Sequence, residues 1–253
     1  MNISECIEKF SLDFSIRALK TLKENENLCI STSSIYLCLI MLHIASKKDT
    51  AAQLTNLLGK DYSILLKQGQ DRDMLIDAIK KLLGDCSKSC DINNKIFSFC
   101  ELKQNYVEIL RGVLNAEAES MPFQSCEKAC DWINSWIREK TKGRIPRLLT
   151  ESSISSETVF VLVNTIYFKS PWLSKYDSKF TKLRPFYMDT NNTIETSMMT
   201  KTIVTCFYCD RVKKYSALVD RFTTLGIIGI YILPDNDSNL RELVSDFTVN
   251  IFL

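Results

Sequence analysis

Apolar residues recur at helical spacing from the start of the chain. Ile3, Ile7, Phe10, Phe14 and Ala18, extended by Leu19 and Leu22, line one face of a helix over residues 3–22. Leu28–Ile30 reads as a short strand, and Ser31–Ser34 offer hydroxyls that cap a helix from Ile35. The run Ile35–Ala45 is apolar on nearly every face, which predicts a buried helix. Thr50 and Gln53 have capping-box spacing and open another helix, which Gly59 stops. Residues 60–90 are polar and helical in part, Ile96–Phe99 alternate like a strand, and 103–116 read as a helix. From Cys126 to Lys142 the pattern is amphipathic, with Cys130, Ile133, Trp136 and Ile137 on the apolar face and Gly143 at the end.

Later the pattern changes from helical to extended. Val159–Phe168 is the strongest strand and too apolar for a sheet edge, so it is expected to be central and covered on both faces. Asn164 sits in its middle. A buried amide without partners costs about 1–3 kcal/mol, so specific partners, hydroxyls above all, are expected. Leu225–Leu233 is a second strand expected to be buried, closed by a turn at Pro234–Asp237. Long helices first and buried strands later predict an α+β fold.

Composition narrows the function classes. A length of 253 residues with 45% hydrophobic content suits one globular domain, or at most two small ones. The net charge of +2, from 32 basic and 30 acidic residues, argues against a nucleic-acid footprint. The one basic stretch, Arg138, Lys140, Lys142, Arg144 and Arg147, reads as a solvated helix face. Charges at Glu5, Glu8, Lys9 and Asp13 interrupt what would be a signal peptide, and no apolar run approaches the roughly 20 residues of a membrane span. A cytoplasmic protein without membrane contact is expected. The ten cysteines are irregularly spaced and read mostly as free thiols, and the lone CxxC, Cys206 and Cys209, lacks a second pair for a metal. His43, the single histidine, lies in the apolar helix far from any nucleophile motif. With seven glycines and no Walker loop, neither a cofactor nor a catalytic site is indicated.

Several segments, in order, resemble the serpin family. Asn164-Thr-Ile-Tyr-Phe-Lys-Ser-Pro-Trp172 is similar to the family's "NAIYFKGxW", and Ile133–Ile145 to "INxWVxxxTxGKI". Ser31–Ile35 stands where the family has "SPxSI", Ile92–Phe97 resembles "ANKLF", and Ile230–Asp235 resembles "IILPD". Phe180-Thr181, Pro185-Phe186 and Met198-Met199 continue the likeness, which runs from about residue 5 to 250. Within the family, the absence of a leader and the free thiols are closest to intracellular and poxvirus serpins. The resemblance implies a single serpin-like domain over 1–253. It implies a shutter in which Asn164 bonds to Ser31 and Ser34, with Trp172 in the breach at the strand's end and the Trp136 helix across the sheet.

The departures shape the functional expectation. Thr32 replaces the motif proline, and Ala45–Thr50 replaces "GAxGNT", losing both glycines. Nothing before Leu253 resembles a hinge, a scissile loop or the closing strands. The expectation is a serpin-family protein, viral and host-modulating, with no catalytic chemistry and no inhibition by the suicide-substrate route. Its partner would be a protein or peptide added as a strand to Val159, Val161, Val163, Ile166 and Phe168, with self-association as another outcome. The alternatives are a truncated product without function and an amino-terminal part completed by another chain.

Overall fold

The computed structural model describes residues 2–23, 26–88, 90–188, 192–235 and Leu243. The chain divides into two compact units, residues 1–14 with 30–168, and residues 15–29 with 169–253. Helix α1 (Ile3–Thr21) begins in the first unit.

In the first unit, helix α2 (Thr32–Ala45) is the buried centre. Ser31 caps it, its hydroxyl accepting the Ser34 N–H at 3.4 Å. Tyr36, Leu37, Ile40, Met41 and Ile44 pack with Ile3, Cys6, Ile7 and Phe10 of α1 in one apolar core. The polar atoms carried into that core are satisfied. Tyr36 Oη donates to Leu58 O at 2.8 Å, and His43 Nδ1 accepts the Tyr62 N–H at 3.2 Å while Nε2 meets Thr55 Oγ1 at 2.8 Å. His43 is thus a packed structural residue. Residues 28–30 form no strand.

Helix α3 (Lys48–Leu58) starts two residues before the expected box at Thr50, and its N-cap, Lys47, makes no side-chain cap bond. Lys48 lies at φ 51°, the left-handed region, where the serpin motif carries glycine. An L side chain there costs about 1–2 kcal/mol, against about 0.5–1 kcal/mol that glycine loses through the freer unfolded chain. Lys48→Gly is therefore expected to stabilise the protein by about 0.5–1 kcal/mol. A urea midpoint that falls in the variant would contradict this.

After a 3-10 turn at Tyr62–Leu66 and helix α4 (Gln70–Ser87), a three-stranded sheet forms in the order β2-β1-β3. Strand β1 (Cys90–Ser98) is central; β2 (Ala116–Ser120) pairs with it in parallel and β3 (Phe160–Phe168) antiparallel. The helix expected over 103–116 is shorter, α5 (Gln104–Gly112), because the chain turns at Asn115 into β2. Helix α6 (Cys126–Lys140) lays Ala129, Cys130, Ile133 and Ile137 on Phe97 of β1 and Val163 of β3. The expectation of a central β3 is corrected: β3 is a terminal strand among the described residues, paired only with β1.

In the second unit, β4 (Lys182–Tyr187) and β5 (Thr193–Met198) form a hairpin. Strands β6 (Phe207–Asp210), β7 (Tyr215–Arg221) and β8 (Ile228–Pro234) form an antiparallel sheet in that order. The expectation that Leu225–Leu233 is buried is also corrected. Ile228, Ile230, Tyr231 and Leu233 are exposed, and on β8 only Ile232 packs on the small cluster of Tyr215, Ala217 and Leu243. Trp172 lies against that strand at Gly229 and Tyr231. The turn expected at 234–237 passes beyond the described residues after Asp235.

Candidate functional site

Side chains alternate along β3 with the strand period of two. Val161 and Val163 join the core under α6, and Leu162 packs against the α1–α2 core on the other face. Val159 (56% exposed), Ile166 (38%) and Phe168 (43%) instead meet solvent. Among the described residues β3 is bonded on one side, by β1.

The shutter expected from the motifs is not assembled as expected. Asn164 is half-buried, and its Nδ2 donates to Asn94 Oδ1 at 2.7 Å. Asn94 is its register partner on β1 and is buried. Ser31 Oγ donates to Ser34 Oγ at 2.9 Å, so the serines close on each other as the α2 cap. The physical reason lies in the pairing register, which sets two asparagines opposite one another, where side chains are close enough to bond.

Helix α6 is fastened to the sheet by a charge cluster that periodicity could not show. Lys95 of β1, only 7% exposed, reaches Glu119 at 2.7 Å and Glu117 at 3.2 Å. Trp136 Nε1 donates to Glu117 Oε2 at 3.1 Å, and Lys140 lies 3.0 Å from Glu117. Burial pushes the Glu117 carboxyl upward, but hydrogen bonds from Lys140, Lys95 and Trp136 outweigh it and hold it below the usual range. At the end of α6, Lys142 Nζ bonds Asp91 Oδ2 at 2.6 Å and lies over the Tyr167 ring. Asn134, quoted only as part of a motif, is a missed residue: it bonds three main-chain groups of Leu148 and Leu149.

Trp172 belongs to the second unit. It stacks on Phe222 at 4.1 Å and lies so close over Gly229 that an added Cβ would meet its ring at 3.2 Å. The Lys201 ammonium sits over Trp172 and Tyr176 and bonds the buried Asp220 at 2.6 Å. The cysteines are free thiols, with Cys206 and Cys209 exposed, and no metal-holding group occurs among the described residues. No helix among them is long and apolar enough to cross a membrane.

Residues 7–252 match the family described as "Serpin (serine protease inhibitor)". The chain belongs to the serpin family. Among curated relatives, this serpin is 29% identical to Serpin B6 of Macaca fascicularis, over 95% of the chain and 65% of that protein. It is 29% identical to Antichymotrypsin-2 of Bombyx mori, over 79% of the chain and 53% of that protein. The chain thus spans roughly half to two thirds of the length of these relatives. Emu (Dromaius novaehollandiae) ovalbumin shares the fold at a TM-score of 0.87 and 22% identity, over 99% of this chain and 68% of that one. Cleaved Serpin 42Da shares it at 0.82 and 24% identity, over 95% and 64%.

Proposed function

We propose that this serpin chain acts as a strand acceptor, binding an extended peptide segment of a partner protein along β3, with no catalytic chemistry of its own. The observation that carries this reading is the terminal position, among the described residues, of an apolar β3 whose Ile166 and Phe168 are exposed, as is Val159 just before it. Main-chain bonds along the edge supply affinity, and side chains at every second position supply selectivity. In this reading the 253-residue chain forms no covalent complex with a protease, because it holds no segment resembling a scissile loop. We further assign it to the host-cell cytoplasm, as a viral host-modulating protein, a reading that ten free thiols favour and cell fractionation checks.

The test is thermal unfolding with short apolar peptides of strand-forming sequence, alongside light scattering. A peptide at a hundred times its Kd adds about 2.7 kcal/mol, so the midpoint rises by several degrees. The same peptide methylated at alternate amide nitrogens cannot bond along the edge and leaves the midpoint unchanged. A monodisperse monomer indifferent to every peptide sinks the proposal. A second reading, an inhibitor completed by another polypeptide, is favoured by the exposed apolar residues of β8. A protease complex that survives boiling in denaturant would support it and overturn the first.

A further inference from the structure

The basic stretch after α6 has a use that strand capture does not absorb. Arg144 and Arg147 stand six and three residues before Thr150, in Arg-Ile-Pro-Arg-Leu-Leu-Thr. Residues 142–148 are all exposed and 144–150 form neither helix nor strand. Arg147 spends one N–H on Leu149 O at 3.3 Å, while the Arg144 side chain makes no hydrogen bond or ion pair among the described residues. Lys140 and Lys142, by contrast, are tied to Glu117 and Asp91. Thr150 is exposed; its side chain caps the 3-10 turn at Glu151–Ser153, accepting from the Ser153 main-chain N–H, and its hydroxyl otherwise meets the exposed hydroxyls of Ser152 at 2.9 Å and Ser153 at 3.3 Å.

We propose that Thr150 is a phosphorylation site for an arginine-directed protein kinase. Such an enzyme reads substrates by charge, pairing acidic subsites with guanidinium groups at fixed distances from the acceptor hydroxyl. In the transfer, the γ-phosphoryl of ATP moves to Thr150 Oγ1. The new O–P bond forms as the bond to the bridging oxygen breaks, ADP leaves with that electron pair, and the hydroxyl proton passes to the kinase's catalytic aspartate.

The fold sharpens the choice of acceptor. Thr141 also has an arginine three residues before it, Arg138, but Thr141 is buried and its hydroxyl donates to Ile137 O at 2.7 Å. Thr224 follows Arg221 at the same distance, yet it is half-buried against Ser170 and has Leu218 at the outer position. Thr150 alone of these three combines both arginines with an exposed hydroxyl. Ser152 and Ser153 have Leu149 and Thr150 at the inner position.

The test uses the folded 253-residue protein, a purified arginine-directed kinase and ATP, read by intact mass and peptide sequencing. One phosphate on Thr150 is expected. Thr150→Val removes it while circular dichroism remains unchanged, and Arg147→Ala slows incorporation about tenfold through one lost charge-assisted contact. Arg147→Lys keeps the charge without the guanidinium fork and is also expected to slow it. Phosphate on other residues with Thr150→Val unaffected overturns the proposal. So does labelling of the unfolded chain but not of the folded one, because the site would then be closed in the fold.

Discussion

Phe97→Ala is expected to destabilise the protein by about 3–5 kcal/mol, the cost of emptying a large buried aromatic site. The ring is fully buried. It lies edge-on to Trp132 at 4.7 Å and to Trp136 at 5.8 Å, with the Lys95 ammonium 4.8 Å from its centre. It is therefore the point where α6 and β1 hold each other, and β1 in turn carries β3. Urea unfolding of both proteins checks the value. A loss below about 1 kcal/mol would mean that the helix is seated elsewhere, because collapse around a site of this size rarely recovers the rest. A fall in the slope as well as the midpoint would indicate a less compact native state.

Asn134→Ala is expected to cost about 2–3 kcal/mol, since it strands the main-chain N–H groups of Leu148 and Leu149 and leaves Leu149 O with Arg147 alone. Asn134 is buried; its Nδ2 donates to Leu149 O at 2.8 Å, and its Oδ1 accepts from the N–H groups of Leu148 and Leu149, both at 2.9 Å. One side chain thus substitutes for a strand partner along a segment that has none. Hydrogen exchange gives a local readout: the amides of Leu148 and Leu149 should lose protection in the variant before the core of α2 does. Unchanged protection at these two amides would show that the segment is held by Cys130, whose thiol donates to Thr150 O at 3.1 Å, rather than by Asn134.

Local order was legible in the chain itself. Helical spacing marked α1, α2 and α6, because each buries one face or all faces against a core, and burial writes a period into the residues. The α+β class and the serpin resemblance followed from segments whose order along the chain was sufficient evidence. The strands of the second unit were mostly not legible. Strand β4, Lys-Leu-Arg-Pro-Phe-Tyr, is exposed at every position, so no burial pattern exists to be read. Strand β2, Ala-Glu-Ala-Glu-Ser, looks helical in composition and is a strand because β1 lies beside it.

What only the tertiary structure decided concerns neighbours. Apolar content told that β3 can be covered on both faces, but not which strands lie beside it. Sheet order depends on chain segments far apart in sequence, and among the described residues β3 has β1 on one side alone. For the same reason Asn164 was recognised as a residue needing a partner, while the partner was misassigned. The need is local, set by one amide in a strand, whereas the choice of Asn94 over Ser31 and Ser34 is made by the pairing register of β1 and β3. Lys95, Glu117 and Glu119 carry no signal in the hydrophobic pattern, and they meet because β2 aligns with β1 and α6 closes over them. Side-chain pattern therefore determined which segments form helices and strands, and long-range pairing determined which described strands lie side by side.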